Sequence, residues 1–191
     1  MQHEIKVVSS RVVYTKFGMS VVEETFSRNG STGCYRYIVM SPSVRIIPIT
    51  LSGDIVFIRQ FKYPFNSEIL CLPAGTIEQG ETGVQAAVRE LREETGYMPD
   101  EVIEIGRFYP MAATIRQECT VVLATGCHKE TLAPEMPDDD LENETKVQLI
   151  KIERVEQLVL NDAIIDGQAI TALYKGMAYL KARDMLCLAS H

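Results

Sequence analysis

Glu90, Glu93 and Glu94 stand at i, i+3 and i+4 in the run Arg89-Glu90-Leu91-Arg92-Glu93-Glu94-Thr95-Gly96. One turn of helix would present these three carboxylates together. Like charges held that close repel unless something neutralises them. Hard divalent cations do this well, because Mg²⁺ prefers carboxylate oxygen and water and usually bridges to a substrate phosphate. The chemistry on offer is therefore metal-assisted work on a phosphorylated molecule. A merely solvated acidic face is the plainer explanation, but it accounts for neither the flanking glycine nor the single Arg89.

A helix must carry these groups. Thr82 suits its N-cap, and Gly96 suits the residue that stops it. Val84, Ala87, Val88 and Leu91 recur at helical spacing and predict an apolar face. The glutamates fall mainly on other faces, so one helix would pack on one side and hold metal on the other.

Strands are predicted around it. Glu4–Tyr14, Met19–Phe26, Cys34–Met40, Val44–Leu51, Ile55–Phe61 and Glu68–Leu72 are β-branched or alternating, and turn signals at 28–31, 41–42 and 52–54 separate several of them. Pro73-Ala74-Gly75 reads as a turn after the last of these. Further strands are expected at Val102–Tyr109, Cys119–Thr125 and Lys146–Ile152. Helices are expected at Glu153–Val159 and Ile170–Ala182, with Ala172, Leu173, Met177 and Leu180 facing inward. Periodicity alone gives an α+β class.

The chain has 191 residues, 46% hydrophobic and 24% charged, which is ordinary for a globular domain. A net charge of -7 argues against a broad nucleic-acid-binding face but not against a nucleotide substrate, since a bound metal reverses the local sign. No apolar run approaches the ~18 residues of a membrane span, and the N-terminus carries no apolar signal segment. The expectation is a cytoplasmic protein with no membrane or nucleic-acid partner. The five cysteines lack Cys-x-x-Cys spacing and read as reduced, mostly buried thiols.

From Gly75 to Tyr97 the chain runs Gly75, five residues, Glu81, seven residues, then Arg89-Glu90-Leu91-Arg92-Glu93-Glu94-Thr95-Gly96-Tyr97. This resembles the Nudix box at every specified position. The resemblance implies the Nudix fold, an α/β/α sandwich with a mixed β-sheet. Residues 1–43 would form an N-terminal antiparallel β extension for dimerisation and substrate binding, and 44–191 the hydrolase domain. Gln60-Phe61-Lys62-Tyr63-Pro64, Leu72-Pro73-Ala74-Gly75, Ile165-Asp166-Gly167-Gln168 and Ala172-Leu173 are similar to the ADP-ribose pyrophosphatase branch, whose members are usually homodimers.

That branch implies Mg²⁺-dependent hydrolysis of a nucleoside diphosphate sugar, with Mn²⁺ as the alternative metal. Glu90, Glu94 and the Ala74 carbonyl would be metal ligands, and Glu93 a further ligand or proton acceptor. Arg89 would hold a box glutamate in place, with Glu81 as a structural partner. Lys62 stands where many relatives carry Arg, and would contact phosphate without a bidentate fork. Cys71 stands where relatives often have Glu, which loosens the link to one substrate. The general base is open among Glu118, Glu142, Glu144 and Glu93, because the Pro-Gly turn that often precedes it in relatives is missing. Arg116 is either a phosphate contact or an exposed side chain. Phe26, Tyr35 and Tyr37 are candidates for base stacking. Other Nudix substrates (GDP-mannose, a dinucleotide polyphosphate, NADH or an oxidised triphosphate) and a non-catalytic ADP-ribose-binding module are the competing functions.

Overall fold

The computed structural model describes residues 5–130 and 145–183. In chain order its elements are β1 (Lys6–Lys16), β2 (Met19–Arg28), β3 (Ser31–Met40), β4 (Ser43–Thr50), β5 (Asp54–Lys62), β6 (Ser67–Cys71) and β7 (Ala74–Thr76). Then come α1 (Gly83–Thr95), β8 (Tyr97–Met98), β9 (Glu101–Phe108), β10 (Ile115–Arg116), β11 (Cys119–Lys129), β12 (Lys146–Lys151), α2 (Val155–Leu160) and α3 (Gly167–Lys181). The chain forms two compact units. One holds the residues up to Pro42 with Tyr109–Glu118, and the other Ser43–Phe108 with Cys119 onward.

The first unit is an antiparallel meander of β1, β2 and β3, with β10 added in parallel beside β3. Its two hairpin turns, Phe17-Gly18 and Asn29-Gly30, have positive φ at both residues. That is the twist-matched geometry of two-residue hairpins, which favours Asn-Gly and is unusual for Phe. Glu23 fixes the register by accepting from Arg11 on one neighbouring strand and Arg36 on the other, each at 2.6 Å. Every residue of β1 is exposed. Gly33 lies beneath the Phe26 ring, where a Cβ would collide with it.

The second unit is a mixed sheet. β4 lies parallel to β11 and antiparallel to β5 and β7; β5 also pairs β6 and β12, and β11 pairs β8 and β9. Strand alternation sends side chains to two faces. Val44 and Ile46 of β4, with Val122 and Ala124 of β11, pack against Ala86, Ala87 and Leu91 of α1. Ile47, Val121 and Leu123 pack on the other side with Ala169, Ala172 and Leu173 of α3. Helices therefore cover both faces of the sheet, which is the α+β sandwich that the resemblance implies.

Several boundaries depart from the expectation. Pro73-Ala74-Gly75 is not simply a turn: Ala74–Thr76 pair with β4 as a short strand. The buried face of α1 is Ala86, Ala87, Leu91 and Thr95, while Val84 and Val88 are only partly covered. Helix α3 begins at Gly167, three residues early, because the Asp166 side chain accepts from the Gln168 and Ala169 amides. Apolar periodicity does not register a polar cap. Met177 is partly rather than fully buried.

Among the described cysteines, Cys71, Cys119 and Cys127 are buried and Cys34 is exposed. Burial pushes the Cys71 thiol up to about 11 and the Cys127 thiol up to about 12. Since only the thiolate alkylates, iodoacetamide at neutral pH should label Cys34 in the native protein. Cys71, Cys119 and Cys127 should stay unlabelled until denaturant is added. Peptide mass mapping reads this, and labelling of Cys71 as fast as Cys34 would contradict the packing described.

Candidate active site

The acidic turn owes its position to α1. Thr82 accepts from the Gln85 amide while the Gln85 side chain accepts from the Thr82 amide, a reciprocal capping box. At the other end Gly96 takes φ 70 and its amide bonds the Arg92 carbonyl. Between these ends Leu91 and Ala87 dock on the sheet, which leaves Arg89, Glu90, Glu93 and Glu94 facing the β7 region and solvent.

Arg89 links three of the carboxylates. Its Nε and Nη2 donate to the two oxygens of Glu81 at 3.0 Å each. Its Nη1 donates to Glu90 at 2.7 Å and to Glu93 at 3.1 Å, and Nη2 also reaches the Thr76 carbonyl at 2.9 Å. A guanidinium offers five donors in a rigid fork, which suits it to this sharing. Glu81, placed by sequence as a structural partner, is held below the usual carboxylate range by Arg89 and by the Glu78 amide. Arg89 is correspondingly raised, chiefly by Glu81.

Glu94 is the least compensated carboxylate. It accepts from the Ala74 amide at 2.9 Å and from Gln60 Nε2 at 3.4 Å. Burial pushes its pKa up to about 7; the Ala74 amide opposes that, and the charge of Glu90 adds to it. Glu90 is also raised, first by burial and against the pull of Arg89. Gly75 lies directly against Glu90, and a Cβ there would overlap its carboxylate. Ala74, named from the sequence for its carbonyl, engages the site through its N–H.

These residues suit a divalent cation in donor chemistry: half-buried Glu90 and Glu94 and exposed Glu93 bring neighbouring carboxylates together beside a glycine with no Cβ to obstruct them. Among the described residues, no three His, Cys, Asp or Glu side chains are already gathered as a ligand set. Glu90 and Glu93 are bonded to Arg89, and Glu94 to Ala74 and Gln60.

Lys62 is half-buried at the end of β5 and donates to Gln60 Oε1 at 2.8 Å. Gln60 also reaches Thr145 Oγ1 at 3.0 Å. Gln60 belongs to the motif Gln60-Phe61-Lys62-Tyr63-Pro64, and the motif alone assigns it no role. The available signal was its place two residues before Lys62, on the same strand face.

Arg116, Glu118 and Tyr35 belong to the first unit and line a cavity of about 720 Å³ there, with Tyr37, Tyr109 and Ala113. The Tyr35 hydroxyl donates to the Ala113 carbonyl. The Arg116 guanidinium lies 5.2 Å from the Tyr37 ring centre, in cation–π range. Phe26 is not among the lining residues; its ring covers Gly33. Glu142 and Glu144 lie outside the described residues. No helix of the described residues is long and apolar enough to cross a membrane.

Comparison with known proteins gives this site a family. The NUDIX domain model matches residues 40–173. The chain is 29% identical to the ADP-ribose pyrophosphatase of Bacillus subtilis (strain 168), over 86% of this chain and 85% of that one. It is 29% identical to the methanol dehydrogenase activator of Bacillus methanolicus, over 95% and 91%. It is 30% identical to the ADP-sugar pyrophosphatase of Mus musculus, over 72% and 64%. A crystal structure of an ADP compounds hydrolase shares the fold with a TM-score of 0.80 at 20% identity, covering 94% of this chain and 96% of that one. With the domain model spanning most of the chain and the box residues gathered on one capped helix, the protein belongs to the Nudix family and is a Nudix hydrolase.

Proposed function

We propose that this hydrolase cleaves the diphosphate bond of ADP-ribose or a related nucleoside diphosphate sugar, giving a nucleoside monophosphate and a sugar phosphate. The observation that carries the reading is the pair Glu90 and Glu94, both raised by burial, with a glycine opposite. The pyrophosphatases among its relatives act by name on ADP-ribose and ADP-sugars, which supports the choice of substrate.

Glu90, Glu94 and the Ala74 carbonyl are the proposed ligands of Mg²⁺, with Mn²⁺ as the alternative and Glu93 as a further ligand or proton acceptor. Such an ion neutralises diphosphate charge and lowers the pKa of water at the site. The chain's own residues do the rest. Arg89 keeps Glu90 and Glu93 extended beside each other. Lys62 offers a point charge to a phosphate oxygen, and Arg116 and Tyr35 are proposed substrate contacts. Glu118 is one choice of general base, since a base must come within reach of the attacking water.

The N-terminal extension is proposed to pair with a second copy. Its β1 carries exposed Val7, Val8, Val12 and Val13, and an edge strand of that kind invites a partner. Light scattering should give twice the 21.4 kDa chain mass. A monomer at micromolar concentration would refute pairing. A cytoplasmic location fits the reduced-thiol composition.

The enzymatic test is product analysis with ADP-ribose, GDP-mannose, UDP-glucose, NADH and diadenosine polyphosphates, with Mg²⁺, beside Glu94→Gln. AMP and ribose 5-phosphate should form from ADP-ribose, and the variant should lose about 10²-fold or more of that rate, as expected when a metal-ligating group is removed. Preference for another diphosphate would keep the reaction class and discard the substrate. Turnover of none, with either metal, would favour a binding module.

A further inference from the structure

Gln60 is a polar side chain in an otherwise apolar position. It is 8% exposed and shares the inner face of β5 with Ile58, beside Ile69 and Cys71 on β6. Such a residue needs partners for every polar atom, because a buried amide left unbonded is costly. Gln60 has them. Its amide nitrogen donates to Glu94 Oε1 at 3.4 Å and to Thr145 Oγ1 at 3.0 Å. Its carbonyl oxygen accepts from Lys62 Nζ at 2.8 Å.

The orientation of this amide is dictated chemically. An ammonium has donors and no acceptor, and an ionised carboxylate has acceptors and no donor. Only the carbonyl end can face Lys62, and only the NH₂ end can face Glu94 in the ionised form that binds a cation. Flipping the group would set like against like at both ends. Lys62 therefore fixes which end of Gln60 Glu94 meets. The other face of Glu94 is held by the Ala74 amide, so its carboxylate is pinned between a strand backbone and a side chain from a different strand.

We propose that Gln60 is a positioning residue that holds Glu94 in the rotamer needed to bind a divalent cation, and that Lys62 orients Gln60 for this task. The inference rests on the reading of Glu94 as a metal ligand. Groups that fix a ligand's orientation are worth roughly 10- to 100-fold in metal affinity or activity. A neutral amide does this without adding charge; a carboxylate at the same place would repel Glu94.

The test is Mn²⁺ titration by calorimetry on the substrate-free protein: wild type, Glu94→Gln and Gln60→Met. Methionine keeps the volume and neutrality of glutamine and removes its hydrogen bonds. Gln60→Met should bind Mn²⁺ about tenfold more weakly, with excess Mn²⁺ recovering much of the lost kcat and KM for the diphosphate little changed. If Gln60→Met does not fold, Gln60→Asn keeps the amide one methylene shorter and should show the same loss. Wild-type Mn²⁺ affinity in a folded Gln60 variant, while Glu94→Gln has lost binding, overturns the positioning role and leaves the metal-site reading standing. Undiminished binding in Glu94→Gln overturns that reading and the inference together.

Discussion

Four carboxylates crowd one turn and its approach, and a single guanidinium keeps them compatible with a folded chain. Arg89 bonds Glu81, Glu90 and Glu93 and ties all three to the backbone at Thr76. Without it, i, i+3 and i+4 glutamates on a partly buried helix would repel and splay. The arrangement is incomplete by design of its charges, however. Among the described residues Glu94 is hydrogen-bonded by neutral donors, the Ala74 and Gln60 N–H groups, and the charge of Lys62 acts on it without a bond. Glu81, Glu90 and Glu93 are thus bonded directly to a cation and Glu94 is not, which is a condition a divalent cation relieves.

The fold supplies the geometry this needs. The capping box at Thr82 and Gln85 and the left-handed Gly96 set the start and end of α1, so the acidic residues fall on the same turn in every molecule. Ala86, Ala87 and Leu91 fix its rotation by docking on β4 and β11. β7 pairs with β4 and brings Ala74 and Gly75 against Glu94 and Glu90. Sheet, cap and glycine are each ordinary; together they half-bury Glu90 and Glu94, which would otherwise stay in water.

Much of this is legible in the sequence because it is local. The spacing of Gly75, Glu81, Arg89, Glu90, Glu93 and Glu94 marks the helix, its stop and its chemistry, and most strands announce themselves by alternation. What escapes is set by distant neighbours. Ala74–Thr76 are extended only because β4 accepts them, and nothing in Pro-Ala-Gly says so. The parallel pairing of β4 with β11 joins strands far apart in the chain. Tyr109–Glu118 joins the first unit through bonds such as Ile38 N–H to the Thr114 carbonyl, with no change in composition to mark it. Gln60 was visible as a residue, but its orientation depends on a lysine and a glutamate that only the folded sheet brings to its two ends.

Thermal unfolding against pH most directly tests the proposed cation site at the half-buried Glu94. A carboxyl whose pKa rises from 4.5 to about 7 on folding favours the metal-free fold at low pH, and that contribution is lost as the pH climbs through this range. Wild type should therefore lose stability relative to Glu94→Gln between pH 4.5 and 7. Mn²⁺ should restore it above that range in wild type and not in the variant. Parallel pH profiles for the two proteins, with equal gains from Mn²⁺, would contradict the account.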